Sequence, residues 1–421
     1  QRYYGVPFPL WYCQGCGDVI LAAPERLPLD PTTSEPNAPC GTCGGTAFRP
    51  ETDVMDTWAT SSLTPRICAS LAADLGMDEA TFMAQPMSVR PNAHDIIRTW
   101  DFYSIVQSLL HRDQIPWRAL MIAGHAQDPS GKKLSKSRLR AAADPTATIE
   151  QFSADAVRYW TAGVRMGGDT AVSDEAFRQG NRLVTKLWNA ARFVLMHTDG
   201  AEDAPPSPPA VSDRWLLARL GQTVARATAT LEDYEPATAR TAIERFFWSD
   251  FCDTYLELVK YRLTERRLPD GTAATPAERI AALSTLRVAL CTVLKLLAPF
   301  LPHIAEEIYL QGGFGAQEGA PSIHRAPWPD AAGFPDDQAA LAVGETMLAI
   351  VEQVRRWKAE RNLSVGTPIG TLAIGCPAAQ VPLLQQMRLD LACITRAEAL
   401  TVHSGDAITI EVRDSPISPT K

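Results

Sequence analysis

Two cysteine pairs, Cys13 with Cys16 and Cys40 with Cys43, constrain the amino-terminal part of this chain more than any other feature. Each pair is Cys-x2-Cys followed by a glycine (Gly17 and Gly44), and the 23 residues 17–39 separate the two. Paired knuckles at this spacing present four thiolates to one tetrahedral ion, the pattern of a structural Zn2+ site. Two disulfides are the competing arrangement, and a cytosolic chain disfavours them. Such a zinc site is closed, so it orders its own small subdomain and does no chemistry. Binding would contribute on the order of 10 kcal/mol to folding the knuckles. The other five of the nine cysteines are scattered singly.

At 421 residues the chain has room for roughly two to four domains with real cores. No window of about 18 residues is free of charge or breakers, so no membrane partner is expected. Nor do the first residues pair a basic region with an apolar one. A cytoplasmic protein is the expectation. The chain opens on Gln1 in aromatic, strand-like sequence (Tyr3, Tyr4, Phe8, Trp11), which reads as the interior of a longer protein. A net charge of −8 disfavours binding to bulk DNA, so any nucleic-acid contact has to come from local basic patches.

Residues 1–52 read as short strands and turns around the cysteines. Over 53–164 short apolar runs alternate with helical stretches: 96–110 has apolar residues at helical spacing, and 119–123 reads as a buried strand. After that strand comes the run Gly131, Lys132, Lys133, Leu134, Ser135, Lys136, Ser137. Ligands of open α/β sheets sit at the carboxyl ends of strands. Lysines on a small, serine-rich loop can close over a triphosphate and stabilise the charge that develops as pyrophosphate leaves. Read alone, the run fits a solvated basic loop or a regulatory serine cluster equally well.

From residue 149 onward the pattern is helical. In 281–297, Leu283, Leu286, Leu290, Val293, Leu294 and Leu297 recur every three or four residues and make one buried stripe, so a helix bundle is expected over 165–330. A glycine-rich break at 311–319 and a proline-rich stretch to 335 set off a tail, 331–421. Its first helix turns Met347, Ile350, Val351, Val354 and Trp357 inward and Arg355, Arg356, Lys358 and Arg361 mostly outward, and alternation around 408–412 suggests strands. The tail is expected to be a small α/β unit.

With these elements placed, several words of the sequence line up. Gln1-Arg2-Tyr3-Tyr4-Gly5-Val6-Pro7-Phe8-Pro9, Asp53-Val54-Met55-Asp56-Thr57-Trp58-Ala59-Thr60-Ser61-Ser62-Leu63 and the lysine loop resemble class I aminoacyl-tRNA synthetases of the valine, isoleucine and leucine subgroup. Phe251-Cys252-Asp253-Thr254-Tyr255-Leu256-Glu257-Leu258-Val259-Lys260 and Ser322-Ile323-His324-Arg325-Ala326-Pro327-Trp328-Pro329 resemble the valyl-tRNA synthetases within it. The resemblance implies an α/β partial Rossmann-type nucleotide fold with a zinc knuckle, an all-α anticodon-binding-like bundle and the α/β tail. It implies ATP with Mg2+, valine and a valine-specific tRNA as partners. It maps the family's Lys-Met-Ser-Lys-Ser signature onto Lys133, Leu134, Ser135, Lys136 and Ser137, with Lys133 and Lys136 as the catalytic charges and Lys136 the usual ATP contact.

The family's valine pocket maps onto Trp58, Asp95, Ile96 and Trp100. Two indoles and a branched aliphatic chain suit a small β-branched substrate, and a carboxylate can hold its ammonium group. Taken as residues, the tryptophans fit a core as well as a pocket, and Asp95 can equally cap a helix. His125, next to Gly124, is placed either at the nucleotide or in a structural role. Lys260, Arg262, Arg266 and Arg267 are candidate phosphate contacts for tRNA, or a solvated helix face. Trp248 and Tyr255 are either base-stacking platforms or core.

A pocket of this shape discriminates poorly against threonine, which is nearly isosteric with valine. The hydrolytic editing domain that the family carries, and its His-rich ATP signature, are expected upstream of Gln1. Without that amino-terminal half of the synthetase, the chain is not expected to form valyl-adenylate. The family continues past the loop with Lys-Gly-Asn, whereas this chain has Arg138, Leu139 and Arg140. Two further readings are a non-catalytic tRNA- or nucleotide-binding paralogue and an isoleucine or leucine enzyme.

Overall fold

The computed structural model describes residues 5–78, 80, 86–128, 131–132, 145–198, 207–264 and 266–414. The lysine loop from Lys133 to Ser137, and Arg138, Leu139 and Arg140, lie outside the described residues. Two compact units emerge: Gln1–His125 with Met166–Thr170, and Ala126–Arg165 with Ala171–Lys421.

In the first unit, Leu10–Cys13 is the centre of a three-stranded antiparallel sheet, flanked by Val19–Leu21 and Phe48–Pro50. Trp11 is buried beneath the long loop between the cysteine pairs, its Nε1 donating to the carbonyls of Pro31 (3.1 Å) and Ser34 (2.9 Å). The first two family words meet each other: Pro7 bridges Val54, and the Met55 amide donates to the Val6 carbonyl at 2.8 Å. Only a glycine fits at position 5, where a Cβ would fall 2.8 Å from the Met55 carbonyl oxygen.

Beyond this, strands Met87–Ala93 and Trp117–Ala123 pair in parallel, in register from Met87 opposite Trp117 to Ala93 opposite Ala123. Parallel neighbours need a crossover, and residues 94–112 supply it. The expected helix at 96–110 is a composite. It comprises a 3-10 turn His94–Ile96, a π-helical turn Ile97–Asp101 and an α-helix Phe102–Arg112, which stops at left-handed Asp113 (φ 52°). The residues at the caps of these turns are Ala93, Ile96 and Asp101, not Asp95.

The second unit is built around the long helices Asp174–Thr198, Val211–Glu232 and Pro276–Leu297. Every residue of the expected 281–297 stripe is buried, and Ala282, Ala289, Cys291 and Leu296 are buried with it, so this helix is enclosed on most of its faces. By length and composition it could cross a membrane, with a mean hydropathy of 1.8 over its most apolar window, yet 72% of that window is buried inside the protein. Between the α-helices Pro236–Arg245 and Leu256–Leu258 the chain widens into a π-helix, Phe246–Tyr255.

The packing differs from the sequence divisions at 164 and 330. Helix Ala154–Ala162 belongs to the second unit because Gly180 of the helix Asp174–Thr198 lies against it, with a Cβ on Gly180 falling 2.9 Å from Ala156 Cα. The tail shares the bundle's core as well. Helix Gln338–Glu360 buries Met347, Ile350, Val351 and Val354 in the same cluster as Trp215, Leu220 and Leu290. A Cβ on Gly344 would lie 2.0 Å from the Trp215 indole. The tail's sheet places Ile369–Cys376 centrally, parallel to Ala397–Ser404 and antiparallel to Thr409–Arg413.

Two cations expected at the surface point inward. Lys358 is 2% exposed and donates to the carbonyls of Val365 (2.8 Å) and Thr395 (2.9 Å), closing the end of the helix Arg388–Thr395. Arg262 is also 2% exposed. Its guanidinium bonds Asp213 (2.6 Å) and reaches Asp390 (3.0 Å), so it is not available to a phosphate and its place among the tRNA contacts is corrected. Tyr255 is fully buried and donates to Asp213 at 2.7 Å, which removes it as a stacking platform.

Candidate metal, nucleotide and RNA sites

The knuckle glycines explain how the four thiols converge. Gly17 and Gly44 both have left-handed φ (79° and 71°), and their amides donate back to the Cys13 and Cys40 carbonyls at 2.8 Å each. Glycine takes this conformation without the Cβ penalty, and each turn folds its two cysteines onto one side. All four Sγ atoms lie within 4.8 Å of one another, with Cys13 to Cys43 and Cys16 to Cys40 both at 3.6 Å. A tetrahedron with metal–sulfur bonds of about 2.3 Å has edges of about 3.8 Å, close to those two separations, so the four thiols could hold a metal ion. The amides of Cys16 and Gly15 pull the Cys13 thiol down to about 7, whereas the crowded thiols push Cys16 up to about 12 against the Asp18 amide and raise Cys43 against the Gly45 amide.

The pocket residues gather at the carboxyl ends of the two parallel strands and beside the helix Thr57–Ser61. Asp56 caps that helix by accepting from the Trp58 amide at 2.8 Å. The indole of Trp100, in the π-turn, donates to the Ser61 carbonyl at the helix's other end, 3.0 Å away, so the elements carrying Trp58 and Trp100 are fastened together. Both tryptophans are half-buried, Ile96 is half-buried and Asp95 is exposed. An accessible carboxylate beside aromatic and aliphatic walls can hold an ammonium group while the walls exclude water from an aliphatic side chain. His125 approaches the same place, its Nε2 lying 3.8 Å from the Asp95 carboxylate.

Two groups behind this pocket were not legible beforehand. Arg90 stacks its guanidinium carbon 3.2 Å from the Trp100 ring centroid and 5.0 Å from that of Trp117. Burial lowers its pKa, and the nearby Asp101 carboxylate opposes that shift. Asp101 also accepts from Asn92 Nδ2 at 3.0 Å, so a buried polar layer backs the Trp100 wall. The second group is Asp169. One carboxylate oxygen takes the His125 amide at 2.7 Å and lies 3.1 Å from His94 Nε2, and these bonds, the His125 amide first, hold the carboxyl below its usual range. The approach requires Gly124, where a Cβ would fall 2.0 Å from the Gly168 carbonyl oxygen. A glycine before His125 and the pair Gly167-Gly168 was the available signal.

Of the proposed tRNA contacts, Lys260 is half-buried and paired with Glu257 (2.5 Å), whereas Arg266 and Arg267 are exposed. Trp248 is half-buried under Lys186, whose Nζ is 5.1 Å from the ring centroid. It lines an open groove with Arg178, Arg182 and Lys186. Those cations recur every four residues along one helix face, a spacing that could have marked them in the sequence.

Residues 1–173 match the family described as tRNA synthetases class I (I, L, M and V), and residues 213–373 match the anticodon-binding domain of tRNA ligase. The chain is 38% identical over 417 residues to the valine–tRNA ligase of Anaplasma marginale, covering 98% of this chain and 48% of that protein. It is 39% identical over 373 residues to that of Haloarcula marismortui, covering 88% and 39%. The valine–tRNA ligase of Thermoplasma acidophilum is 35% identical over 413 residues, with 98% and 50% covered. The chain thus spans about half the length of the curated relatives it matches. Among solved structures, the Agrobacterium radiobacter K84 LeuRS in its ternary complex with tRNA and LeuAMS aligns with 79% of this chain and 42% of that one. The TM-score is 0.59 at 23% identity, a likeness of fold. Residues 1–173 are thus similar to the class I tRNA synthetases and residues 213–373 to the anticodon-binding domain of tRNA ligase, in a chain whose relatives include valine–tRNA ligases.

Proposed function

We propose that this chain is the part of a valine–tRNA ligase that walls the valine pocket, carries the lysine loop and holds the tRNA, within an enzyme that activates valine with ATP and esterifies it to tRNA. The juxtaposition of Asp95, Ile96 and the Trp100 wall beside the Trp58 helix, in a chain similar to valine–tRNA ligases over nearly all its length, carries this reading. Asp95 holds the ammonium group, the indoles and Ile96 enclose the branched side chain, and the Arg90 layer keeps Trp100 in place. The valine carboxylate attacks the α-phosphate in line and pyrophosphate leaves, so no side-chain nucleophile is needed; the residues position the reactants and stabilise charge. Lys133 and Lys136 would supply that charge, Ser135, Ser137 and His125 would bind the nucleotide, and Mg2+ bound with ATP would help neutralise its phosphates. Cys13, Cys16, Cys40 and Cys43 hold a structural zinc ion, and a cytoplasmic location suits the whole.

The Arg138-Leu139-Arg140 departure favours a non-catalytic paralogue, while the extent of the similarity to valine–tRNA ligases favours the ligase. Amino-acid-dependent pyrophosphate exchange by the full-length protein separates them. Exchange driven by valine is expected. Exchange driven by isoleucine alone would overturn the substrate, and no exchange with any amino acid would overturn the ligase.

A further inference from the structure

A cleft with about 550 Å3 of empty space, open to solvent, lies in the first unit at the amino-terminal ends of the two parallel strands, against Met87 and Pro116. The length of the strand Met87–Ala93, about 20 Å of extended chain, separates it from the proposed valine pocket at the carboxyl ends. It is a different place from the candidate site. Its inner part is narrow: the space open to the centres of water-sized spheres is about 40 Å3, room for about three waters. Only a slender molecule fits there.

Ser104 lines the cleft from the helix Phe102–Arg112 and is 1% exposed. Its Oγ has no hydrogen-bond partner, although a helical serine has the carbonyl one turn back within reach. The neighbouring hydroxyls are engaged, Ser62 donating to the Ala59 carbonyl (2.6 Å) and Ser108 to that of Gln114 (2.7 Å). A buried hydroxyl left in this state is costly, and an oxygen entering the cleft would relieve it. At the rim the charge is positive. Arg112, on the same helix, and Arg66, on the helix Thr64–Asp74, are exposed, and among the described residues neither has an ion-pair partner. No acidic side chain is found among the described residues that line the cleft, and Leu63, Met87 and Ile115 give it apolar walls.

Ser104 and Arg112 are eight residues apart, about 12 Å along one face of the helix. Helical side chains lean toward the helix amino terminus, which carries the long arginine back toward the serine. An extended chain of about six carbons bridges the distance that remains.

We propose that this cleft binds a slender organic acid with a hydroxyl at its far end. Its carboxylate lies on Arg112 and Arg66, its body along the apolar walls, and its hydroxyl against Ser104. A neutral hydroxyl suits that end because serine can give or take the bond, whereas a second carboxylate would be buried there without a cation. A wholly apolar ligand would leave Ser104 unpaired.

The test titrates the full chain with 6-hydroxyhexanoate, hexanoate and 1,6-hexanediol, following the ligand signals by NMR, and repeats the series in Ser104→Ala and Arg112→Gln. The hydroxy acid should bind with a Kd on the order of 1 mM, as befits so small a molecule. Hexanoate and the diol, each lacking one polar end, should bind about fivefold more weakly. Ser104→Ala should bring the hydroxy acid level with hexanoate, whose own affinity stays the same. Arg112→Gln should weaken both carboxylates and leave the diol unchanged. Because Ser104→Ala removes a buried group that has no partner, its melting temperature should equal or exceed that of the unaltered chain, so a loss of binding there is not unfolding. Absence of hydroxy-acid binding up to about 20 mM would overturn the site. Equal affinities for the hydroxy acid and hexanoate, or a hydroxy-acid affinity unchanged in Ser104→Ala, would overturn the Ser104 contact. Equal affinities for the hydroxy acid and the diol would overturn the anionic end.

Discussion

Arg262 Nη2 lies 2.6 Å from Asp213 Oδ1 with both side chains out of solvent, and its Nε lies 3.0 Å from Asp390, so one cation ties the bundle helix Val211–Glu232 to the tail helix Arg388–Thr395. Tyr255 and Ser212 complete the network by donating to Asp213 (2.7 Å) and Asp390 (2.5 Å). Burial works against the guanidinium's charge, and the two carboxylates, Asp390 first, more than restore it, raising its pKa well above the usual value. Removing one member of such a set leaves the others buried and uncompensated. Arg262→Ala should therefore cost about 3–5 kcal/mol in urea unfolding, far more than a surface arginine. A cost below about 1 kcal/mol would show that the network is not holding the two parts together.

Asp390 gives the same network a pH dependence. Burial is the larger influence and pushes its carboxyl up to about 6, with Arg262 opposing. Unfolded, the group titrates near 3.9. Between these values the folded chain binds more protons than the unfolded chain, so stability falls as pH rises. The contribution is fully present below about pH 3.9 and is lost as pH passes about 6, with a magnitude of at most about 3 kcal/mol. Asp390→Asn keeps an acceptor for Arg262 but cannot titrate. Its stability relative to the unaltered chain should thus improve from about pH 4.5 to about pH 7; parallel profiles would remove Asp390 as the cause.

Gly344 sets helix propensity against packing. In an exposed helix Ala would be better than Gly by about 1 kcal/mol. Here a Cβ would sit 2.0 Å from Trp215 Cδ1 and 2.3 Å from its Nε1, and that indole is fully buried. Overpacking of this kind costs about 1–3 kcal/mol. Gly344→Ala should lower the thermal midpoint, and because the tail and the bundle share one core, probes in both should shift together. A shift confined to the tail would mean that the two parts melt separately.

What the sequence made legible was local, and what it hid was long-range. The cysteine knuckles were readable because each ligand pair and its glycine lie within five residues, and the 281–297 stripe because its period matches the helix that bears it. Arg262 looked like part of a solvated basic face because its partner Asp213 is 49 residues away and the Ser212–Asp390 bond spans 178. Lys358 looked outward for the same reason, since the Thr395 carbonyl that receives it is 37 residues on. In the candidate site, Trp58, Asp95, Ile96 and Trp100 came from the resemblance, but the supports did not. Asp169 meets His94 across 75 residues, and Arg90 lies between Trp100 of the crossover and Trp117 of the neighbouring strand, a meeting that no single-strand pattern encodes.

The thiol cluster predicts that the purified protein carries one zinc ion per chain. Metal analysis at fewer than about half an equivalent would sink the four-thiolate assignment. Cys40→Ser should release the ion and unfold the small sheet around Trp11, which has little other core, at a cost on the order of 10 kcal/mol to the knuckle. The helical unit has its own large core and should keep its helical circular dichroism in the same variant. Loss of both signals together would mean that zinc holds more of the chain than its knuckle.

The lysine loop makes a kinetic prediction for the full-length protein. If Lys136 stabilises charge that appears only as pyrophosphate leaves, its contribution belongs to the transition state and hardly at all to bound valine. Lys136→Ala should then slow valine-dependent pyrophosphate exchange on the order of a hundredfold while leaving the valine Kd within about twofold. Asp95→Asn should behave oppositely, since an ammonium partner is engaged in the ground state and the transition state alike. Its valine KM should rise while kcat changes little. The two variants measured side by side assign the roles: matched losses of binding and rate in Lys136→Ala would place that lysine on the bound substrate and leave the transition-state charge to other residues.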